Sequence, residues 1–255
     1  MRKFFFFLLS SFLLGYSFSY DYSHIKVVEV IDGDTVRLEN GKTLRYIGVD
    51  TPEIREKIEG RWVYNPAPFA EEAKEYNKKL VEGKYIRVEF DVKRIDEYGR
   101  LLCYVFVGNT FVNAKLLEEG LAVLYTRPPN IKYVDLFVKL QKKARQEKKG
   151  LWGSYKIIDA FSAYKFIGQI RTVRGKVLST YRSQNCIFLN FGKDWKRDFT
   201  VVIFKESWDY FKKEGIDPVV FYKNKMIEVT GRIRKYNGPE IIVNLPEEIT
   251  VLDSD

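Results

Sequence analysis

The stretch IKVVEVIDGDTVRLENGKTLRYIGV, residues 25–49, decides the fold of the first half of the chain. Its apolar run 25–31 ends at the turn pair Asp32-Gly33, and apolar and polar residues alternate after it. Asn40-Gly41 is a strong hairpin signal, and residues 43–49 return as another apolar segment. The pattern predicts three short strands joined by tight turns.

The residues that follow extend this pattern to five strands. After a polar loop at residues 54–66 comes a helix whose apolar stripe is Phe69, Ala73, Tyr76 and Leu80. Strands follow at 85–92 and 101–107, then a short helix closed by Gly120 and a lysine-rich helix at 134–149. Five strands with one helix before the fourth and helices at the end are typical of a small closed barrel of the OB type.

The second half of the chain has a similar order of elements. Periodicity lapses at residues 154–168, which we interpret as a linker. Five strand-like segments with one helix between the third and fourth then follow: 170–179, 185–191, 199–204, 226–234 and 240–243. The predicted fold is therefore mainly β with helices (α+β), as two OB-fold-like five-stranded barrels at residues 24–153 and 169–255.

The composition restricts the chemistry. The chain has 43 Lys+Arg against 34 Asp+Glu, a net charge of +9, which favours an anionic partner such as nucleic acid or an acidic membrane. A single His excludes sites built from several imidazoles, and two Cys exclude a Cys₄ metal site. Cys103 and Cys186 lie in apolar segments, where we expect free, buried thiols. Catalysis would have to rely on carboxylates, arginines, hydroxyls and a metal that prefers oxygen.

The N-terminus has the pattern of a secretory signal peptide. Met1-Arg2-Lys3 precedes an apolar run at residues 4–14 and the small-residue segment 15–19. An uncleaved membrane anchor is the alternative, but spanning a bilayer takes about 20 apolar residues. We therefore expect residues 1–19 to be a signal peptide, with cleavage near Ser19, export, and no stable membrane association afterwards.

Four short motifs each have an ordinary explanation when taken alone. Residues 32–35 (DGDT) suit a hairpin turn, and Thr51-Pro52-Glu53 suits a helix start. Residues 96–100 (DEYGR) suit a polar turn, and Arg45 suits a solvated strand. In this order and spacing, however, the motifs resemble those of the staphylococcal nuclease (thermonuclease) family over residues 25–152.

The resemblance implies roles for eight residues. Arg45, Glu53 and Arg100 would be catalytic, with Glu53 as a general base or water-orienting group. Asp34, Asp50 and the Thr51 carbonyl would bind Ca²⁺, and such hard oxygens suit that ion. Tyr98 and Tyr125 would bind the nucleotide, although Tyr125 could equally be a core aromatic. The residue types suit phosphodiester cleavage, because planar guanidinium groups present paired donors to phosphate oxygens.

The implied function is an exported, calcium-dependent nuclease that cleaves the P–O5′ bond of DNA and/or RNA and leaves 3′-phosphates. The second barrel would help to bind nucleic acid, and no protein partner is implied, so we expect a monomer. One alternative is a non-catalytic protein that binds single-stranded nucleic acid. Another is an enzyme that uses a different divalent ion, or one that acts on a phosphodiester outside nucleic acid. The loop 54–66 departs from the family pattern and contains Arg55, Arg61, Trp62 and Tyr64. It could bind a single strand of nucleic acid, or it could be an insertion without a function of its own.

Overall fold

The computed structural model describes residues 21–252. The predicted signal peptide at residues 1–19 lies outside the described residues. Within the described range, no helix is both long enough and apolar enough to span a membrane.

The first unit comprises the elements up to Ser154. Its strands are β1 (Ile25–Asp32), β2 (Thr35–Leu38), β3 (Thr43–Tyr46), β4 (Gly48–Asp50), β5 (Arg55–Ile58), β6 (Arg61–Tyr64), β7 (Tyr85–Ile95), β8 (Leu101–Val107), β9 (Thr110–Phe111) and β10 (Val123–Tyr125). Its helices are α1 (Ala70–Val81), α2 (Val112–Glu118), α3 (Val134–Gln146) and α4 (Leu151–Ser154).

Five strands of the first unit close into a barrel, as the sequence predicts. The neighbours are β3, β2, β1, β7 and β8 in that order, and β3 also pairs with β8 to complete the ring. The closing pair is parallel, with Leu44 opposite Leu101. Buried side chains from alternate strand positions fill the interior, among them Val27, Val36, Leu38, Leu44 and Cys103. The closed ring fixes the ends of these five strands relative to one another.

Helix α1 packs on the barrel through a residue of its predicted stripe, and α3 packs there through an aromatic residue. Ala73 is buried in α1 and Phe137 in α3. Gly48 begins β4 with φ +83°, and a Cβ there would lie 2.3 Å from Cε2 of Phe137. A glycine is therefore required at this point, and the close contact holds β4 against α3.

Residues 54–66 are a hairpin where the sequence analysis predicts a polar loop. Strands β5 and β6 pair antiparallel, with Arg55 opposite Tyr64, and every residue of both strands is exposed. Glu59 and Gly60 join them with φ of 48° and 81°, which matches a two-residue hairpin turn that follows strand twist. The loop was predicted because Glu-Gly is a weaker turn signal than Asn-Gly or Asp-Gly.

The second unit comprises the remaining elements. Its strands are β11 (Ile158–Asp159), β12 (Ile170–Lys176), β13 (Ser179–Arg182), β14 (Cys186–Asn190), β15 (Thr200–Phe204), β16 (Met226–Arg232), β17 (Arg234–Lys235), β18 (Pro239–Ile242) and β19 (Ile249–Leu252). Its helices are α5 (Trp208–Lys213), α6 (Pro218–Phe221) and three 3-10 helices, Ala160–Phe166, Lys205–Ser207 and Pro246–Glu248.

The strands of the second unit form two sheets around their own core. The sheet orders are β11-β12-β16-β19 and β13-β14-β15-β18-β17, and the closed second barrel remains a prediction. The predicted linker contains structure, because Ala160 and Ala163 are buried in this core and β11 pairs with β12. Both cysteines are free, Cys103 buried and Cys186 half-buried.

The two units contact each other through an apolar cluster and an ion pair. Val123 and Leu151 of the first unit form a buried cluster with Ile170 of the second. The buried carboxylate of Glu228 in β16 pairs with Arg174 beside it and with Arg145 of α3 across the interface. This contact brings the end of β16 next to the end of β4.

Glu248 makes the stability of the second unit depend on pH. Its side chain is buried, Oε2 accepts a hydrogen bond of 2.9 Å from the Asn244 amide, and Oε1 has no partner among the described residues. Burial raises the pKa of Glu248 well above its usual range. The folded protein therefore keeps this carboxyl protonated at a pH where the unfolded chain ionises it.

We expect the stability of the wild type to fall relative to that of Glu248→Gln as pH rises above about 4.3, the pKa of a free Glu. Below that pH the carboxyl is protonated in both states and its contribution is fully present. Chemical unfolding of both proteins across this range tests the prediction. A difference in unfolding free energy that does not change with pH would contradict it.

Candidate active site

The turn between β1 and β2 brings Asp34 to the end of β4. A Cβ on Gly33 would lie 2.7 Å from Oγ1 of Thr51, so only glycine allows this turn to approach so closely. Oδ2 of Asp34 accepts a hydrogen bond of 2.8 Å from the Thr51 amide. Asp34 and Asp50, predicted as metal ligands, therefore lie on neighbouring elements at one end of the barrel.

Arg45 joins these two acids. Its pairing with Thr35 in the β2–β3 ladder sets it beside the turn. One terminal nitrogen forms an ion pair with Oδ2 of Asp34, and the other lies 2.9 Å from Oδ1 of Asp50. The three side chains are only 12%, 5% and 10% exposed. The predicted convergence of acids and a guanidinium thus occurs in this structure.

The charges of this cluster shift the pKa values of its members. Burial alone would lower the pKa of Arg45, but Asp34 and Asp50 outweigh burial and raise it, so the guanidinium stays charged. Burial and the charge of Asp34 raise the pKa of Asp32 well above its usual range. Burial alone would raise the pKa of Asp50, but the guanidinium groups of Arg232 and Arg45 outweigh burial and lower it. Asp50 is therefore a buried carboxylate held by two arginines.

Arg100 and Tyr98 lie in the turn between β7 and β8. Asp96 organises this turn, because its Oδ1 accepts hydrogen bonds of 2.9 Å from the amides of Tyr98 and Arg100. Its Oδ2 accepts a 2.7 Å bond from Nε of Arg100. The terminal nitrogens of Arg100 make no hydrogen bond or ion pair with the residues described, so they are available to an anion. The Tyr98 ring is 77% exposed, with the Arg100 guanidinium carbon 5.4 Å from its centre.

One cleft of about 320 Å³ joins these groups. Six of the eight predicted site residues line it: Arg45, Asp50, Glu53, Tyr98, Arg100 and Tyr125. The other two contact residues that line the cleft. Asp34 pairs with Arg45, and the Thr51 carbonyl accepts a hydrogen bond from Arg232. Tyr125 is half-buried at the end of β10, and its hydroxyl accepts a 3.2 Å bond from Arg234.

Glu53 lies at the mouth of the cleft with its side chain 48% exposed. Desolvation raises its pKa above the ordinary value, although the nearby Arg232 acts in the opposite direction. A carboxylate with a raised pKa accepts a proton more readily near neutral pH than an ordinary glutamate does.

Arg232, at the end of β16 in the second unit, is a residue that the sequence analysis did not predict for the site. Its Nη2 lies 2.7 Å from the Thr51 carbonyl oxygen, 3.0 Å from Oδ2 of Asp50 and 3.3 Å from Oε1 of Glu53. Arg234, two residues later, also lines the cleft. No motif in the sequence places these arginines at the nuclease site, because they lie about two hundred positions from the acids; the sequence suggests for them only a role in nucleic-acid binding by the second barrel.

The predicted metal ligands have the chemistry of a calcium site. Asp34, Asp50 and the Thr51 carbonyl offer hard oxygens, and the Arg232 guanidinium already acts as a stand-in cation on two of the three. Within residues 21–252, no group of three or more His, Cys, Asp or Glu side chains is arranged to hold a metal. A bound ion would therefore depend on two carboxylates, one backbone carbonyl and water.

Comparisons with known proteins agree with the geometry of the first unit. A family model described as staphylococcal nuclease homologue matches residues 43–154, which end before β11. The thermonuclease of Staphylococcus hyicus is 39% identical over 51% of this chain and 75% of its own length. Endonuclease YncB of Bacillus subtilis (strain 168) is 40% identical over 51% of this chain and 61% of its own. The SPbeta prophage-derived endonuclease YokF of the same strain is 41% identical over 48% of this chain and 41% of its own length. The chain thus spans less than two thirds of the two Bacillus proteins.

Proposed function

Because this chain belongs to the staphylococcal nuclease family and is a phosphodiester-hydrolysing nuclease, we propose that it is an exported, calcium-dependent enzyme. Its substrates are DNA and/or RNA, and it cleaves the P–O5′ bond to leave 3′-phosphates. The observation that carries the proposal is the convergence of Arg45, Asp50, Glu53 and Arg100 on one cleft, with Asp34 paired to Arg45.

Each residue has a defined task in this reaction. The guanidinium of Arg100 binds the phosphate oxygens, whose charge grows as a fifth bond forms to phosphorus. Arg45 joins it by releasing Asp34 or Asp50, which pair with its two terminal nitrogens in this structure. Glu53 accepts the proton of the attacking water, the new P–O bond forms, and the P–O5′ bond breaks as the 5′ oxygen leaves and takes up a proton from solvent water. A calcium ion held by Asp34, Asp50 and Thr51 would add positive charge beside the phosphate. Tyr98 and Tyr125 would lie along the nucleotide.

Digestion of nucleic acid with and without metal tests this proposal. The full chain without residues 1–19 is incubated with single- and double-stranded DNA and RNA in Ca²⁺, in Mg²⁺ or in EDTA. We expect digestion in Ca²⁺ that EDTA abolishes, since removing the cation removes charge stabilisation in the transition state. Undiminished digestion in EDTA would contradict calcium dependence, and tight binding without any digestion would favour the non-catalytic alternative.

Export and a monomeric state belong to the same proposal. Residues 1–19 have a basic start, an apolar run and small residues before the expected cleavage point. Mass spectrometry of the protein from outside the cytoplasm should give an N-terminus near residue 20, and retention of residues 1–19 would contradict a cleaved signal. Light scattering should give the mass of one chain, and a dimer mass would contradict the monomer.

We assign single-strand binding to the second unit, as an OB-like barrel that holds the substrate. A second cleft of about 520 Å³ lies on this unit, lined by Tyr181, Phe188, Trp195 and Tyr236. Three of these aromatics are strongly exposed: Tyr181 at 61%, Trp195 at 56% and Tyr236 at 79%. Exposed rings around a cleft are platforms on which bases can stack without sequence preference. Asp198 and Glu240 also line the cleft and could accept hydrogen bonds from base amino groups.

Replacing Tyr236 by alanine is expected to weaken binding of a single-stranded oligonucleotide about 5- to 150-fold, the effect of losing one stacked base. Trp195→Ala should have an effect of the same order. The matched control is Tyr85→Ala, which removes a tyrosine that is 50% exposed on the first unit, outside both clefts. Fluorescence anisotropy measures the affinities, and equal affinities for Tyr236→Ala, Trp195→Ala and Tyr85→Ala would contradict binding at this cleft.

A further inference from the structure

Arg232 is bound by four acceptors from two units of the protein. Besides Asp50, Thr51 and Glu53, its Nη1 donates a 3.0 Å hydrogen bond to the Gly168 carbonyl of the second unit, and its Nε donates a 3.1 Å bond to Oδ2 of Asp50. The side chain is only 13% exposed. Acidic neighbours raise its pKa in spite of burial, so it remains a cation. The second unit thus inserts a fixed positive charge into the site of the first.

This charge contacts two of the three groups that are proposed to hold the cation. Two of the three proposed calcium ligands, the Asp50 carboxylate and the Thr51 carbonyl, are the acceptors of the Arg232 guanidinium. The third, Asp34, is already paired with Arg45. A divalent ion on the same oxygens would lie next to the guanidinium, and the repulsion between the two positive charges in this buried site disfavours joint binding.

The rest of the interface explains how Arg232 is held there. Strand β16 is paired along its whole length with β12, with Arg232 opposite Ile170. Ile170 is buried against Val123 and Leu151 of the first unit, and Glu228 of the same strand pairs with Arg145. The backbone of β16 is therefore fixed against the first unit, and the Arg232 side chain extends from it into the cleft.

We infer that Arg232 competes with the divalent cation for Asp50 and Thr51, so that the second unit sets the cation affinity of the nuclease site. Binding of the ion requires the Arg232 guanidinium to leave these oxygens. This inference rests on the proposed calcium site, and it adds a residue from outside the matched nuclease region to the control of that site.

Calorimetric titration of the full chain with CaCl₂, without nucleic acid, tests the competition directly. Arg232→Gln should bind Ca²⁺ about 10- to 100-fold more tightly than the wild type, because no charge-assisted hydrogen bonds have to be broken first. Arg182→Gln is the matched control, since it removes a guanidinium of the same unit that pairs with Asp217 at the surface. It should bind Ca²⁺ as the wild type does. Asp50→Asn should abolish binding and so verifies the site.

Arg232→Lys provides a second variant in case the glutamine variant unfolds, which thermal unfolding would detect. Lysine keeps the charge but has no planar fork, so it holds fewer of the oxygens and should give an intermediate affinity. Equal or weaker Ca²⁺ binding by both Arg232 variants, with binding still lost in Asp50→Asn, would overturn the competition and leave the calcium site intact. Absence of Ca²⁺ binding in every variant would overturn both the competition and the proposed site.

Discussion

Replacing Arg100 by alanine is expected to lower kcat by about 10³–10⁵-fold, the range for an arginine that neutralises transition-state charge on phosphorus. Asp96 holds Nε of Arg100 at 2.7 Å, so the guanidinium is oriented before substrate arrives. Its terminal nitrogens are the groups available to the phosphate. Arg100→Lys should recover little, because an ammonium has no planar fork that pairs with Asp96 at one edge and presents two parallel donors to the phosphate at another.

Single-turnover digestion of a labelled oligonucleotide measures this effect, and thermal unfolding verifies that the variants fold. The matched control is Arg37→Ala, which removes an arginine that is also paired through Nε to a carboxylate, 2.8 Å from Glu29, but on the outer face of the barrel. Its kcat should equal that of the wild type. Arg100→Ala with a kcat within a factor of about ten of the wild type would be incompatible with transition-state contact.

Glu53→Gln should lower kcat by about 10²–10⁴-fold, the usual contribution of a general base. The amide keeps the size of the side chain but cannot accept the proton of the attacking water. Glu53 is 48% exposed and pairs with Arg232 at 3.3 Å, so losing this contact should cost less than about 1 kcal/mol of stability.

The same assay distinguishes loss of chemistry from loss of binding. Glu53→Gln should keep the oligonucleotide affinity of the wild type while kcat falls, since the carboxylate does not attract the phosphate. Glu29→Gln, which neutralises an exposed acid of the same barrel, is the control and should leave both quantities unchanged. A Glu53→Gln variant with normal kcat would remove Glu53 from the mechanism.

The sequence predicted the first unit well because its signals are local. Turn pairs at 32–33 and 40–41 mark the hairpins, and the five strands close in the expected ring. Six of the eight predicted site residues line one cleft, because each lies in or close to a strand of the first unit. The hairpin at β5–β6 was not predicted, since its Glu-Gly turn carries little statistical weight and every residue of its strands is exposed, so no buried face marks them.

Arg232 illustrates what local signals cannot reveal. It lies 182 positions from Asp50, and its neighbours in sequence look like an ordinary strand of a second unit. Its role depends on how the two units dock, through Ile170 and the Arg145–Glu228 pair, and no single stretch encodes that contact. The same reasoning applies to residues 158–166, which lack periodicity yet pack on the second core because their small alanines fit there.

The most direct test is a crystal structure of the Glu53→Gln variant with Ca²⁺ and a short single-stranded oligonucleotide. We predict one calcium ion on Asp34, Asp50 and the Thr51 carbonyl, and a phosphate held jointly by Arg45 and Arg100. The Arg232 guanidinium should no longer contact Asp50. A phosphate bound away from both arginines, or a calcium ion that Asp34 and Asp50 do not share, would contradict the account.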